Sequence, residues 1–518
     1  MRAKNQKSTN ARGVAAAART TGLLALAAGF ALLSGCRVGP KYVAPNMPAP
    51  PAFKEAAPAA YNNAPPGTWQ PAKPEDAALK GKWWEAFNEP ELNGLEEQLD
   101  INNQNIAQYF QNFMAARALV GQAKSQFYPT VSVDPSYSRA RTPSTLRDTG
   151  AATSGTTATN LALPIDASWA PDLWGKVRNT VSEYQFATQV SASELENERL
   201  TEQADLAEFY FELRGQDALQ DVLNKTVDAD RKSLELTRTL VDTGIDSPES
   251  VAQAEVTLAN AEEEATGIAT NRAIYEHAIA TLIGKPASEF SLPVKGLTTP
   301  VPAIPIGIPS ELLQRRPDIA AAERTMAEAN ALIGVEKAAY YPALSLTGSG
   351  GLESSKISTL FSVPALFWSV GASASQLIFD GGLRKATIAQ YTAQYNADAA
   401  AYKQTVLTSF QQVEDYVATL RVTSGQITQQ DTAVNAAQRY VDIAMARYET
   451  GLDPYLNVIS AQTTLLSDQQ TAVTLRVNEM TAAVELVQAL GGGWNVNQLP
   501  ASKTVTSKGA QGQVANTP

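Results

Sequence analysis

One stretch of this chain is written twice. Asn105-Ile106-Ala107 through Tyr128-Pro129 aligns without a gap on Asp318-Ile319-Ala320 through Tyr341-Pro342, every position displaced by 213. Within it Ala116, Ala118, Leu119, Gly121, Tyr128 and Pro129 fall on Ala329, Ala331, Leu332, Gly334, Tyr341 and Pro342. Further on, Thr243-Gly244 with Asp246 and Ala254 falls on Thr450-Gly451 with Asp453 and Ala461, displaced by 207. Two copies of one supersecondary unit predict a pseudo-symmetric fold. The first copy is expected to open with a helix from Asn88, where Asn88 and Glu91 read as a capping box with Pro90 in the first turn, to about Phe127. Its counterpart starts near Ser310, or again at Pro317-Asp318, and ends before Pro342.

After each Tyr-Pro the apolar period changes from helical to two. Leu161, Leu163, Ile165, Ala167 and Trp169 alternate with more polar neighbours, as do Trp368, Val370, Ala372, Ala374 and Ile378. Val131, Val133 and Tyr137, then Leu344 and Leu346, mark the strands before them. Four strands are therefore expected, about 130–141 and 160–173 in the first copy, 343–352 and 366–379 in the second. At about ten residues each, they have the length of a tilted bilayer-crossing strand. No proline separates Pro171 from Pro248 or Pro364 from Pro454. Long helices are expected over 176–241 and 383–450, each about 100 Å at 1.5 Å per residue, with return helices over 248–283 and 455–490. The second carries a 3/4-spaced seam, Tyr402, Val406, Phe410, Val413, Val417 and Leu420, that continues at sevens through Ile427, Val434, Val441 and Tyr448. Such seams belong to helices packed side by side.

Four membrane-length strands leave two open edges, which hydrocarbon does not tolerate. The sheet is expected to close with copies of itself, in an α+β membrane protein whose barrel runs into a barrel of helices.

The amino terminus has the layout of a secretory signal: Arg2, Lys4, Lys7, Arg12 and Arg19, no acid before Glu55, and an apolar core from Leu23 to Leu33. The core runs into Ser34-Gly35-Cys36, and Cys36 is the only cysteine. A small-small-Cys ending resembles the bacterial lipobox, in which the cysteine is lipidated and becomes the mature terminus. Residues 1–35 are then a signal peptide, 36–78 a Pro- and Ala-rich extended tether, 79–300 and 301–494 the two copies, and 495–518 a flexible tail. Without the signal, 36 basic residues face 52 acidic ones. That balance speaks against nucleic acid as a partner. No apolar stretch after the signal is long enough for a transmembrane helix.

Enzymatic chemistry finds no constellation. His277 is the single histidine, with no second histidine or free cysteine to build a metal or nucleophilic site. Gly348–Gly351 and Gly491–Gly493 lack the phosphate-cradle pattern and its lysine. Glu262-Glu263-Glu264 reads as a solvated helix face or as part of a lumen lining. No cofactor, no metal and no catalytic residue are expected.

Several separated motifs resemble one family, the TolC-like outer-membrane factors, and most closely their lipoprotein branch of OprM/NodT-type efflux proteins. These are Cys36-Arg37-Val38-Gly39-Pro40-Lys41-Tyr42, Trp83-Trp84-Glu85-Ala86-Phe87, Pro309-Ser310-Glu311-Leu312-Leu313, Arg315-Arg316-Pro317-Asp318-Ile319 and Ala489-Leu490-Gly491-Gly492-Gly493-Trp494. The resemblance implies a homotrimer with a 12-stranded outer-membrane barrel, four strands per chain, on a periplasmic tunnel of helices. It also implies a periplasmic adaptor and an inner-membrane pump, usually of the resistance-nodulation-division type, and so the passive exit duct of a tripartite efflux system. Type I protein secretion keeps the same fold, and a non-transporting envelope lipoprotein is a third reading.

In the resembling family the long helices turn at the periplasmic tip. Here those turns are Thr243-Gly244-Ile245-Asp246 and Thr450-Gly451-Leu452-Asp453, so Gly244, Asp246, Gly451 and Leu452 are candidate adaptor contacts. Locally, a glycine there is a left-handed helix cap. Tyr448 and Leu456 keep the residue types of the family's constriction, and either could close the tunnel. Asn457 and Ser460 stand where the family often has aspartates, leaving Asp453 and Asp246 as carboxylates that serve either as helix caps or in ion selectivity.

Overall fold

The structure, a computed structural model, describes residues 37–55, 81–141, 143, 157–305, 309–501 and 504. Cys36 and the signal lie outside the described residues, as do residues 502–503 and 505–518 of the carboxy-terminal tail. The chain divides into two compact units. One comprises residues up to 44, 115–188 and 324–399; the other comprises 45–114, 189–323 and 400 onward.

The first unit holds the sheet. Its strands are β1 (Thr130–Val133), β2 (Ser136–Arg141), β3 (Thr157–Trp169), β4 (Ala343–Ser354) and β5 (Leu366–Ser375), all antiparallel, in the order β1-β3-β4-β5 with β2 also on β3. β1 and β2 follow one another along the same side of β3, so they are one strand interrupted at Asp134-Pro135. Pro135 has no N–H to donate, which breaks the ladder expected to run unbroken over 130–141. β3 stops at Trp169, short of the expected residue 173, because Pro171 follows. β5 stops at Ser375 rather than 379, and Ile378 and Phe379 project from it, 83% and 85% exposed.

Register gives the sheet two unlike faces. Val133, Ile165, Gly350 and Trp368 form one row, and Val131, Ala167, Gly348 and Val370 the next, all on one face. On the other face Ser132, Asp166, Ser349 and Ser369 line up. Gly351 permits the approach of β3, since a Cβ there would meet the Leu163 carbonyl oxygen at 2.2 Å.

The helices are α1 (Pro90–Asn102), α2 (Gln104–Ser125), α3 (Lys176–Asp242), α4 (Pro248–Leu282), α5 (Pro309–Arg315), α6 (Pro317–Ala338), α7 (Ile357–Leu360), α8 (Leu383–Glu449) and α9 (Tyr455–Ala489). α3 and α8 each have 67 residues, α4 and α9 each 35, and α2 and α6 each 22. Among the described residues no helix is long and apolar enough to cross a membrane. The expected capping box is not formed. Asn88 is left-handed (φ 53) and closes a short 3-10 turn over Trp83–Phe87, while Glu89 takes the cap position without a side-chain cap bond. Its carboxylate is drawn away to the Tyr210 hydroxyl (3.1 Å) and the Lys295 ammonium (2.6 Å).

The second unit has two cores. The larger packs Trp83, Trp84 and Phe87 against Leu206, Tyr210 and Phe211 of α3 and Val484 and Val487 of α9. In the same unit Arg214, 2% exposed, pairs with Asp217 (2.9 Å) and Glu91 (2.6 Å) and donates to the Pro293 carbonyl. It thereby fixes the segment after α4 to α3 without leaving a buried charge unpaired. The smaller core lies at the turns of the long helices.

The amino-terminal segment is pinned rather than free. In the first unit Val38 donates to the Trp174 carbonyl (3.0 Å), and Asn330 donates to that of Pro40 (3.1 Å). In the second, the backbone N–H groups of Lys54 and Glu55 donate to the two oxygens of Glu414 at 2.7 and 2.8 Å, and Arg421 pairs with Glu55 at 2.6 Å.

Candidate functional site

Both long helices end in the same backbone device. Gly244 (φ 74) donates to Val241 O and Ile245 to Leu240 O, both at 2.9 Å; Gly451 (φ 69) donates to Tyr448 O and Leu452 to Arg447 O, also at 2.9 Å. This is the Schellman closure, which needs a left-handed residue and so glycine. It leaves Ile245 and Leu452 standing out, 59% and 69% exposed, one at each turn.

The aspartates that follow have different partners. Asp246 reaches across the bundle: it accepts from the Tyr448 hydroxyl at 2.7 Å, the Ser250 hydroxyl at 2.8 Å and the Ser247 N–H at 2.6 Å. Partial burial works to raise its pKa, but these hydrogen bonds outweigh it and hold the carboxyl below its usual value. Asp453 stays local, bound bidentately by Arg447 at 2.6 and 3.1 Å, and the arginine's hydrogen bonds likewise lower its pKa.

Tyr448 is 2% exposed. Its hydroxyl also reaches Thr237 Oγ1 at 3.0 Å, its ring lies 5.2 Å from that of Tyr455, and burial pushes its pKa up to about 12. Around it the smaller core gathers Leu234 and Leu240 of α3, Ala254 of α4, Ala444 of α8 and Val458 and Ala461 of α9. Within one chain Tyr448 is thus a latch between helices. Leu456, one position beyond Tyr455, is instead 62% exposed. Ser460 is exposed and Asn457 half-buried on the same helix.

Sequence reasoning brought Tyr448, Asp246, Asp453, Leu456, Asn457 and Ser460 forward, and the structure gathers them within the two turns and the start of α9. It missed Thr237, Arg447 and Tyr455. Arg447 and Tyr455 flank Asp453 closely enough to have been weighed; nothing in the sequence marks Thr237. His277 sits exposed on α4, and Glu262, Glu263 and Glu264 are exposed, with Glu262 paired to Arg231 at 3.0 Å. Among the described residues no group of three or more His, Cys, Asp or Glu side chains is placed to hold a metal ion. The arrangement is a hydrogen-bonded latch.

An apolar-faced sheet joined in sequence to very long paired helices defines a class, the outer-membrane channels built with long helical segments. The chain belongs to the outer membrane efflux protein family, whose pattern matches residues 95–285 and 308–492. It is 31% identical over 479 residues to the antibiotic efflux pump outer membrane protein ArpC of Pseudomonas putida, covering 92% of this chain and 96% of that one. The toluene efflux pump outer membrane protein TtgC of P. putida is 30% identical over the same shares. Among solved structures, the outer-membrane channel OprN superposes with a TM-score of 0.80 at 28% identity, over 89% of this chain and 100% of that one. The Campylobacter jejuni CmeC channel gives 0.79 at 22% identity, over 89% and 96%, a likeness of fold. This protein is accordingly an efflux protein of the outer membrane, in a family of channels rather than enzymes.

Proposed function

We propose that three copies of this chain close their sheets into one 12-stranded barrel in the outer membrane. It serves as the passive exit duct of a tripartite system, fed by a periplasmic adaptor and an inner-membrane pump of the resistance-nodulation-division type. The observation that carries this reading is the sheet itself: one face is apolar through the four register rows from Trp169 to Leu163, the other is lined mainly by Ser, Thr and Asp, and free edges remain at β1/β2 and β5. Trp368 and Val370 stand 75% and 78% exposed on the apolar face. Hydrocarbon accommodates that face, and only closure satisfies the edges. The equal lengths of the paired helices support the reading of two repeats per chain. On this reading the latch at Tyr448 and the exposed Leu456 form the resting constriction, with Asp453, Asn457 and Ser460 beside it. The turns at Gly244, Asp246, Gly451 and Leu452 meet the adaptor, and a lipid on Cys36 anchors the chain. Relatives named for antibiotics and for toluene support small organic molecules, apolar ones included, as cargo.

The test sets Val370→Arg against Ser369→Arg. An outward arginine near mid-bilayer costs about 2–4 kcal/mol per chain, so the first variant should lose most of its trimer on non-denaturing gels while the second assembles and conducts. Equal yields would overturn the assignment of faces. Fatty-acid labelling that survives in Cys36→Ser would overturn the anchor.

A further inference from the structure

Deep in the smaller core, three polar atoms are buried without a hydrogen-bond partner: Asp230 Oδ1, the Tyr455 hydroxyl and Gln462 Oε1. Their residues are 2%, 1% and 8% exposed. They lie along one seam between α3 and α9. Asp230 lies one turn before Ser233 on α3, whose hydroxyl accepts from Gln462 Nε2 at 3.0 Å, and Tyr455 lies two turns before Gln462 on α9. Next along α3, Thr237 is the residue that receives the Tyr448 latch. At the sequence displacement of 207, Asp230 and Thr237 correspond to Ala437 and Ala444 of α8, both buried. The second long helix fills these seam positions with methyl groups, and the first fills them with a carboxyl and a hydroxyl.

No cation offsets the carboxyl among the groups that face it. Arg231 and Arg238 of the same helix turn to Glu262 and Glu255 of α4, at 3.0 and 2.8 Å. On α8 Arg447 is held by Asp453, and Tyr448 spends its hydroxyl on Thr237 and Asp246. α9 contributes Tyr455 and Gln462, both neutral. Burial alone raises the Asp230 carboxyl to about 6.

We propose that Asp230 is a proton-operated weak point of the closed tip: neutral, it lets α3 and α9 pack; ionised, it draws water into the seam and favours release of the latch. The proposal rests on the reading of the tip as the resting constriction. The sign follows from linkage. Because the acid is weaker in the packed state than in an open one, its support for packing is complete below about pH 4 and is lost as pH rises through about 6. The same difference limits the effect to roughly a hundredfold in the opening equilibrium. The titration falls where a periplasm acidified from neutrality would cross it.

The experiment is amide hydrogen exchange on the intact protein in detergent, read over residues 455–462 and corrected for the intrinsic pH dependence of exchange. We expect opening of this segment to rise about tenfold from pH 5 to pH 7.5 in the parent and to stay flat in Asp230→Asn. A flat parent, or a pH dependence that persists in Asp230→Asn, overturns the proposal. Planar-bilayer conductance over the same range, with Tyr448→Phe as the companion variant, separates the two readings. If Tyr448→Phe raises resting conductance but pH does not, the proton role fails and the constriction stands. If neither raises it, both fail.

Discussion

The two turns at the ends of the long helices share a sequence pattern and a backbone, yet their aspartates do different things. Asp246 ties its turn to the other long helix through Tyr448, whereas Asp453 is retained by Arg447 on the helix it follows. The cause lies in two adjacent positions. Arg447-Tyr448 corresponds, at the displacement of 207, to Leu240-Val241. The first turn has no cation or phenol at these positions and takes the phenol of the second; the second keeps its cation for itself. The two turns form one latched pair because their partners differ, not their aspartates.

Giving the second turn the first turn's side chain is the strongest way to break this asymmetry. Tyr448→Val removes a buried ring and both hydroxyl contacts, and should cost about 3–4 kcal/mol of local stability, comparable to other large-to-small aromatic substitutions. It should be read as faster amide exchange at the start of α9 and a higher resting conductance. Tyr448→Phe keeps the ring and removes only the hydrogen bonds, and should cost about 1–2 kcal/mol at the same amides. The Asp246 tether has its own pH signature. Since hydrogen bonding lowers that carboxyl, its contribution is present above about pH 4 and is lost as pH falls further, opposite in sign to Asp230. An acid titration of exchange in Asp246→Asn, flat below pH 4 where the parent rises, would sharpen the distinction.

Leu456→Ala should leave stability nearly unchanged, because the side chain is exposed in one chain, while raising resting conductance if three copies meet. Glu249→Ala, at the corresponding position of α4, should change neither, and equal responses from the two would place closure elsewhere. The smallest effect belongs to Asp453→Asn. Its charge is already matched by Arg447, so reversal-potential measurements should show only a slight loss of cation preference, and Arg447→Ala a gain.

Much of this was legible beforehand for a simple reason: alternation and heptads are imposed by burial, and burial is what residue type records. The odd positions from Leu161 to Trp169 and the even ones from Trp368 to Ala374 were read as apolar faces, and the register places them on one face of one sheet. The tip glycines were legible because a left-handed cap leaves few alternatives. Partner choice was not. Tyr448 read as a seam residue that could line a constriction, and no pattern reveals that its hydroxyl is bound to Asp246, 202 residues away. Asp230 was passed over because an acid on a long helix is ordinarily solvated; only packing shows it enclosed. Asn88 misled because a capping-box pattern cannot tell a side chain free to cap from a residue whose backbone is committed to closing a 3-10 turn, with Glu89 after it bound elsewhere.

The pinned amino-terminal segment has a consequence for the order of assembly. Its partners are Trp174 and Asn330, and then Glu414, whose carboxylate receives the backbone of Lys54 and Glu55 across sequence separations of 360 and 359 residues. Contacts of that separation form late, after shorter loops have closed. A segment made early is therefore one that docks late, and until α8 has formed the Glu414 clasp has nothing to hold.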